Sequence, residues 1–241
     1  CSGLTKLQKF FTSKYREEGS ITGRERDISS SSILTGMFKE ILTKEQRELL
    51  PLIQKFSKDY YMAGGTAIAL QIGHRRSVDF DLFTPKNLKR KQIKNVIEDS
   101  GYSTTDILFE AADQLHIVIK GVKTTFFQYP HTIQPLLHFE QIITMPSLVD
   151  LAAMKAYALG GRAKWKDYVD LYFILAKYYS FDDIVKKAKE LFNHFFNDKL
   201  FKEQLSYFDD IDYSEEVEFV NTEVPKEEVK KFLIKIATEK F

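Results

Sequence analysis

Residues 60–83 constrain the fold more than any other stretch of the chain. The first three are aromatic and apolar, which is typical of a strand, and Gly64-Gly65 allows a sharp turn with close approach to a ligand. Residues 66–72 are rich in Ala, Leu and Ile, which favours a short helix. The sequence therefore predicts a strand, a glycine turn, a helix and, over residues 78–83, a second strand.

The second strand alternates between apolar and acidic side chains. One face would carry Val78, Phe80 and Leu82, and the other Asp79 and Asp81, whose side chains lie about 6.6 Å apart along the strand. Carboxylates at that spacing repel unless a cation lies between them. Because backbone N–H groups at a helix start suit phosphate oxygens, and Mg²⁺ prefers carboxylates with phosphates, we interpret the stretch as a metal and phosphate site. The alternative is a glycine hairpin with two surface aspartates.

The ordered pair of motifs, Gly64-Gly65-Thr66 and then Asp79-x-Asp81, resembles the active-site hairpin of DNA-polymerase-β-type nucleotidyltransferases. The fuller string, residues 63–67 and 74–83, is similar to the AbiEii branch, the toxin halves of type IV toxin–antitoxin and abortive-infection systems. Either motif alone is weak, and their order and spacing carry the resemblance. It implies an α+β fold, with a nucleotidyltransferase-type mixed sheet and helices followed by a C-terminal helical domain.

Composition sets broad limits on the class of protein. The 241 residues are 44% hydrophobic and 29% charged, which is ordinary for a globular chain with one large domain or two small ones. The net charge of +1 gives no chain-wide attraction for nucleic acid, so such binding needs a local patch. No apolar run reaches transmembrane length, so we expect no membrane partner. The single cysteine, Cys1, excludes a disulfide framework.

Three segments are expected along the chain. Residues 1–36 are polar with a serine run, and we interpret them as a poorly ordered extension or leader, with Met37 as the natural start. Cys1 is either the first residue of a processed lipoprotein or a remnant, and we favour the remnant. Residues 37–145 hold the predicted strands and form the nucleotidyltransferase-fold domain. From Pro146 the pattern is helical, so residues 146–241 form the helical domain.

Two charged surfaces leave alternatives open. The predicted helix at residues 88–100 and the residues just before it carry a cluster of outward-pointing cations. They are Lys86, Lys89, Arg90, Lys91 and Lys94. This cluster is either a solvated helix face or a docking surface for nucleic-acid phosphates. The acidic stretch at residues 209–218 is expected to be solvated.

Residues 145–175 hold a second constellation of charges. Lys155 lies among Leu, Ala and Met, and Asp167 and Asp170 are i, i+3 neighbours on one helix face. One interpretation is an intramolecular salt-bridge set that fixes two helices. Residues 150–155, with Arg162 and the aspartates, also resemble the second AbiEii motif. The resemblance implies that Lys155, Asp167 and Asp170 complete the nucleotide site, with Arg162 as a further contact.

One position departs from the resemblance. Polymerase-β-type enzymes usually carry a third carboxylate on a later strand, and Thr125 stands at the expected place. Glu110, Asp113 and His116 are the candidates to substitute for it. Deprotonation of an acceptor hydroxyl therefore has no assigned residue, whereas metal binding by the aspartate pair is unaffected.

The resemblance implies a Mg²⁺-dependent nucleotidyltransferase that moves a nucleoside monophosphate from an NTP to an acceptor hydroxyl, such as one on tRNA or another RNA. One or two Mg²⁺ would bind Asp79 and Asp81. The implied catalytic residues are Asp79, Asp81, Lys155, Asp167 and Asp170. The implied phosphate-binding residues are Gly64, Gly65, Thr66, Arg75, Ser77 and Arg162.

The same resemblance implies a cytoplasmic enzyme with a cognate antitoxin as partner. Two alternatives stay open at this point. The first, prompted by Thr125, is a nucleotide-binding protein that has lost catalysis. The second is a nucleotidyltransferase that acts on a small molecule or on protein.

Overall fold

The computed structural model describes residues 36–161 and 163–239, which form seven strands and eight α-helices. The strands are β1 Tyr61–Ala63, β2 Phe80–Thr84, β3 Thr104–Glu110, β4 Gln114–Ile119, β5 Val122–Gln128, β6 Leu137–Phe139 and β7 Ile143–Met145. The helices are α1 Lys44–Lys55, α2 Gly64–Ile72, α3 Arg90–Asp99, α4 Leu148–Leu159, α5 Trp165–Lys177, α6 Phe181–Phe192, α7 Asp198–Gln204 and α8 Lys226–Thr238.

Five strands form one mixed sheet in the order β1-β2-β5-β4-β3, and β6 pairs with β7 separately. Within the large sheet β2 and β5 run parallel, and the other neighbours are antiparallel. The predicted α+β class, a mixed sheet with helices, is confirmed.

The two faces of the large sheet differ in burial. One face is the core, and its fully buried side chains include Phe80, Leu82, Leu115, Ile117 and Phe126. The alternate residues, Asp81 on β2, Thr125 on β5 and His116 on β4, point to the opposite face because successive side chains of a strand alternate. We call this second surface the site face.

The predicted place of Val78 on the buried face is wrong. β2 begins at Phe80, and the Val78 side chain is 47% exposed. The segment before β2 is held by other contacts, since the Thr66 hydroxyl donates to the Asp79 carbonyl and Arg76 N–H donates to the Glu218 carbonyl. These residues are therefore outside the sheet, and the strand alternation does not extend to them.

Helix α2 lies in the interior of the molecule rather than on its surface. Apart from Gln71, its residues from Thr66 to Ile72 are buried, and the helix contacts both α4 and α5 as well as β1 and β2. The sheet and the C-terminal helices therefore meet around α2. This is the region where the two predicted motifs come together.

Residues 37–241 cluster as one compact unit, and the division at residue 145 stays a prediction. The predicted extension lies outside the described residues apart from Gly36. Among the helices of the described ranges, none combines the length and the apolar character needed to cross a membrane.

Candidate functional site

The glycine turn joins β1 directly to α2. Gly64, the first residue of α2, has a φ of +68°, in the left-handed region that favours glycine. The N-cap residue is Ala63, whose methyl side chain cannot accept a hydrogen bond. The N–H groups of the first helical turn have no acceptor within the helix, so they can donate to an anion. The positive end of the helix dipole attracts the anion to the same place.

The carboxylate of Asp81 lies directly against this turn. Asp81 pairs with Ala63 across the β1–β2 ladder, and a Cβ added to Gly64 would lie 2.1 Å from Asp81 Oδ2. Only a glycine therefore allows the carboxylate to approach the start of α2 so closely. The structure brings together the two halves of the first predicted motif.

Asp79 precedes β2, and its partly exposed carboxylate reaches the site face. Its Oδ2 lies 3.7 Å from Lys123 Nζ. Lys123 lies two residues before Thr125 on β5, so the two side chains share a face. Because Thr125 is the register partner of Asp81, both aspartates are directed to the same face of the sheet.

Two hydroxyls tie α2 to the segment before β2. Thr66 Oγ1 hydrogen bonds to the Asp79 carbonyl and lies 2.9 Å from Ser77 Oγ. Both side chains are buried. Their hydroxyls hold the two arms of the hairpin together, and the predicted phosphate contacts of Thr66 and Ser77 stay predictions.

Gln46 is a supporting residue that the sequence reasoning missed. Its side chain is fully buried, its Oε1 accepts the Thr43 N–H in a capping box, and its Nε2 donates to the Asp79 carbonyl at 3.3 Å. The only signal in the sequence was the spacing of Thr43 and Gln46, which is typical of a helix start. That signal does not say what else the amide contacts.

The second constellation forms a buried ion network centred on Asp170. Arg75 binds Asp170 through Nε to Oδ1 at 2.7 Å and Nη2 to Oδ2 at 2.9 Å. His74 Nε2 lies 2.7 Å from Oδ1, and Lys155 Nζ lies 3.0 Å from Oδ2. Lys155 also pairs with Asp167. The intramolecular salt-bridge set, one of the two interpretations of these charges, is present, and it includes His74 and Arg75 as well.

The charges of this network balance. Arg75 and Lys155 supply two positive charges, and Asp167 and Asp170 supply two negative ones. Burial would raise the pKa of Asp170, but the neighbouring cations hold it well below its usual range. Burial lowers the pKa of His74 more than Asp170 raises it, so this imidazole is neutral in the folded protein at pH 7. Lys155 keeps its charge because both carboxylates raise its pKa against the effect of burial.

Arg75 connects the network to the glycine turn. A Cβ added to Gly65 would lie 2.5 Å from Arg75 Nη2 and 3.2 Å from Ser77 Oγ. The guanidinium therefore packs against the start of α2 through Nη2, the same nitrogen that donates to Asp170 Oδ2. The two predicted motifs are parts of one assembly, although the catalytic role of each residue stays a prediction.

A segment near the C-terminus fixes the residues around Arg75. Arg75 forms an isolated antiparallel bridge with Phe219, and Val220 N–H donates to the His74 carbonyl at 3.2 Å. Residues 209–218 were expected to be solvated, and this holds for Glu218, whose side chain is 69% exposed while it pairs with Arg76 at 2.6 Å. Glu215 is only partly exposed, and Lys164 and Lys166 lower its pKa to about 2.

Thr125 is the register partner of Asp81 and stands where a third carboxylate was expected. Three residues were candidates to replace that carboxylate, namely Glu110, Asp113 and His116. Glu110 lies on the edge strand β3 and pairs with Lys94 at 2.9 Å and with Arg90 at 3.5 Å. Asp113 lies in the exposed β3–β4 connection. His116 is the register partner of Thr125, so it shares the site face with Asp81.

Metal ligands are few in this region. Within the described ranges, no group of three or more His, Cys, Asp or Glu side chains gathers as a metal site would require. Arg162, a predicted phosphate contact, lies outside the described residues. A metal at Asp79 and Asp81 would thus need further ligands from phosphates and water, an arrangement that Mg²⁺ accepts.

Comparison with known proteins agrees with the fold and the motifs. The family model described as nucleotidyl transferase AbiEii toxin, type IV TA system, matches residues 52–137 and 124–240. A protein of Aquifex aeolicus (strain VF5), described as the uncharacterized protein aq_aa25, is 32% identical over 176 residues, which span 70% of this chain and 84% of its own.

Two solved structures share the fold. MenT4 from Mycobacterium tuberculosis, described as a nucleotidyltransferase toxin, has a TM-score of 0.51 at 13% identity and covers 80% of this chain and 81% of its own. JHP933 from Helicobacter pylori also has a TM-score of 0.51 at 13% identity, over 81% of this chain and 91% of its own. The chain belongs to the AbiEii family of nucleotidyltransferase toxins of type IV toxin–antitoxin systems, and it is a nucleotidyltransferase.

Proposed function

We propose that the chain transfers a nucleoside monophosphate from a Mg²⁺-bound NTP to an acceptor hydroxyl on RNA, with tRNA as the first candidate. The observation that carries the proposal is the carboxylate of Asp81 lying against Gly64 at the start of α2. If Asp81 binds the metal and the helix start binds the anion, this contact would bring both within reach of one triphosphate.

Asp79 and Asp81 would hold the Mg²⁺. The fit rests on two observations, the approach of the Asp81 carboxylate to Gly64, so close that a Cβ there would clash with it, and the direction of both carboxylates to the same face. When bound, the ion neutralises phosphate charge and makes the α-phosphorus more electrophilic. Gly64 and Gly65 contribute backbone N–H groups to the β- and γ-phosphates.

The buried ion network acts as a support for this turn. Asp170 fixes the Arg75 guanidinium against Gly65, and Lys155 and Asp167 complete the charge balance around Asp170. We assign Asp167 and Asp170 as positioning residues. Because Lys155 is 7% exposed and contacts two carboxylates, its predicted contact with the triphosphate requires it to exchange one of them.

In the reaction the acceptor oxygen attacks the α-phosphorus, and a new P–O bond forms. The bond between the α-phosphorus and the bridging oxygen of the β-phosphate breaks, and pyrophosphate leaves with that oxygen. Positioning and electrostatic stabilisation supply most of the rate enhancement in such phosphoryl chemistry. The helix start and the aspartates provide both.

An RNA acceptor is supported by the cations on and beside α3. Lys86, Arg90 and Lys94 have acidic partners at Asp59 and Glu110, but the five cations of this cluster outnumber those two acids. A local excess of positive charge is what a polyanion needs on a chain with almost no net charge. Family membership further supports a cognate antitoxin as partner and action in the cytoplasm.

The test is transfer of label from each α-³²P-labelled NTP to total cellular RNA and, separately, to total cellular protein, with and without Mg²⁺. We expect Mg²⁺-dependent label in RNA, lost in Asp81→Asn and Asp79→Asn but kept in Asp113→Asn, an exposed carboxylate away from the turn. Label in protein would contradict the RNA acceptor. NTP binding without any transfer would contradict catalysis and favour the binding protein that Thr125 suggests.

A further inference from the structure

A row of paired residues crosses the large sheet and leads away from the glycine turn. In this row Ala63 pairs with Asp81, Asp81 with Thr125, and Thr125 with His116. Residues directly opposite each other on neighbouring strands point to the same face. With strands about 4.8 Å apart, the Cα atom of His116 lies roughly 10 Å beyond that of Asp81.

The direction of this row matters because of the stereochemistry of phosphoryl transfer. The attacking and leaving oxygens lie roughly in line on opposite sides of the phosphorus. In the proposed function the pyrophosphate lies at the start of α2, beside β1, and the α-phosphate lies near Asp81. The attacking hydroxyl therefore lies on the other side of Asp81, above β5 and β4.

Two side chains of the row occupy that side. Thr125 is 8% exposed and its hydroxyl is not a base at neutral pH. His116 is partly exposed on β4, and the Phe109 ring packs edge-on against it at a centroid distance of 5.4 Å. Glu110, the residue after Phe109 on β3, is the register partner of Leu115 and pairs with Lys94 and Arg90. His116 is therefore the group in the row able to take a proton.

We propose that His116 contacts the attacking hydroxyl of the acceptor and accepts its proton as the new P–O bond forms. The inference rests on the proposed function, since it takes the positions of the pyrophosphate and the α-phosphate from it. The proton moves from the acceptor oxygen to the imidazole, the electron pair of that O–H bond becomes the P–O bond, and pyrophosphate leaves. The imidazolium then returns the proton to water.

The hydrogen bonding of His116 suits this role. Its Nε2 lies 3.1 Å from Gln114 Oε1. An amide oxygen only accepts hydrogen bonds, so Nε2 carries the hydrogen and Nδ1 keeps the lone pair that receives a proton. Burial and, after it, the Lys123 charge lower the pKa of His116, so the ring is neutral at pH 7. Lys123 on β5 and Asp106 and Glu110 on β3 are the charged side chains of the neighbouring strands.

The experiment measures kcat/KM for label transfer between pH 5 and 9 in the full chain, with His116→Gln, His116→Ala and the matched control His138→Gln, an exposed histidine on β6. We expect both His116 variants to lose about 100-fold in kcat/KM. His116→Gln should also lose the acidic limb of the pH profile and keep the wild-type Kd for the NTP. Added imidazole should restore part of the rate of His116→Ala and leave His116→Gln unchanged.

A His116→Gln variant with the wild-type rate and acidic limb would overturn the inference. A slow His116→Ala variant that imidazole does not rescue, with a wild-type pH profile in His116→Gln, would also overturn it. If His116→Ala does not fold, the pH profile of His116→Gln decides alone. If the wild-type chain transfers label to no acceptor, water included, both the proposed function and the inference are overturned. If label transfer is unchanged when His116 is substituted, only the inference is overturned.

Discussion

Arg75 donates two hydrogen bonds to the carboxylate of Asp170, at 2.7 Å and 2.9 Å, and both side chains are almost completely buried. The pair joins the segment after α2 to the middle of α5, because Asp170 is the sixth residue of that helix. Nη2, one of the two donors, also packs against Gly65. The position of the glycine turn therefore depends on an ion pair that is distant from it in sequence.

Asp170→Asn should destabilise the protein strongly. The change leaves Arg75 and Lys155 with one carboxylate instead of two in a buried site, and an uncompensated buried charge costs about 3–5 kcal/mol. The control is Asp198→Asn, which breaks the exposed pair with Lys189 and should cost under about 1 kcal/mol. Urea denaturation of both variants checks the difference, and equal midpoints would contradict the structural importance of Asp170.

A double variant separates the two roles of Lys155. Lys155→Met leaves the network with one excess negative charge, and Lys155→Met with Asp167→Asn restores neutrality. We expect the double variant to be more stable than Lys155→Met alone by at least about 1 kcal/mol. Label transfer by the double variant then distinguishes the two roles. Recovered activity indicates that Lys155 acts by positioning other residues, whereas a stable but inactive double variant indicates that Lys155 contacts the triphosphate.

His74 should make stability depend on pH. Its Nδ1 is buried and, among the described residues, has no hydrogen-bond partner, so protonation would bury an unsatisfied donor. The folded pKa is below the unfolded value near 6.5, so the unfolded chain binds the proton first as pH falls. The contribution is complete above pH 6.5 and declines below it by up to about 1.4 kcal/mol per pH unit.

Unfolding free energies of wild type and His74→Gln between pH 7.5 and 5 measure this contribution. The wild-type curve should fall more steeply below pH 6.5 than that of the variant. Other histidines with lowered pKa, such as His131, are present in both proteins and cancel in the difference. Parallel curves would show that His74 does not titrate in the expected range.

Gly64→Ala should abolish activity as well as reduce stability. The new Cβ would lie 2.1 Å from Asp81 Oδ2, and the φ of +68° is strained for alanine. Gly121→Ala is the matched control, because its φ of +77° is similar but its Cβ meets no heavy atom within 4 Å. It should cost only the backbone strain of about 1–2 kcal/mol and keep full label transfer. A Gly64→Ala variant as active as Gly121→Ala would contradict the close contact.

The glycine turn and Asp79-x-Asp81 could be predicted because they are close in sequence, where turn chemistry and strand alternation act locally. The predicted alternation of buried and exposed side chains failed at Val78 because two hydrogen bonds hold that segment outside the sheet. The Thr66 hydroxyl donates to the Asp79 carbonyl, and the Arg76 N–H donates to the Glu218 carbonyl. Such contacts join residues far apart in sequence, and no periodic pattern reports them.

The buried network was predictable in part. The spacing of Asp167 and Asp170 indicated a shared helix face, and the salt-bridge alternative followed from the charges around Lys155. The central position of Asp170 depends on how α2 packs against α4 and α5, which is a property of the folded core. The bridge between Arg75 and Phe219 likewise has no signal in the sequence.

Thr125→Asp tests the site face directly. Thr125 is the register partner of Asp81 and is 8% exposed, so the new carboxylate would lie beside Asp81 in a poorly solvated position. Without metal, repulsion between like charges should lower the melting temperature below that of Thr125→Asn, the neutral control of the same shape. With Mg²⁺ and NTP, a third carboxylate adds a ligand, so Thr125→Asp should gain more thermal stability than Thr125→Asn or wild type. Equal gains in the two variants would mean that Mg²⁺ does not bind beside Asp81.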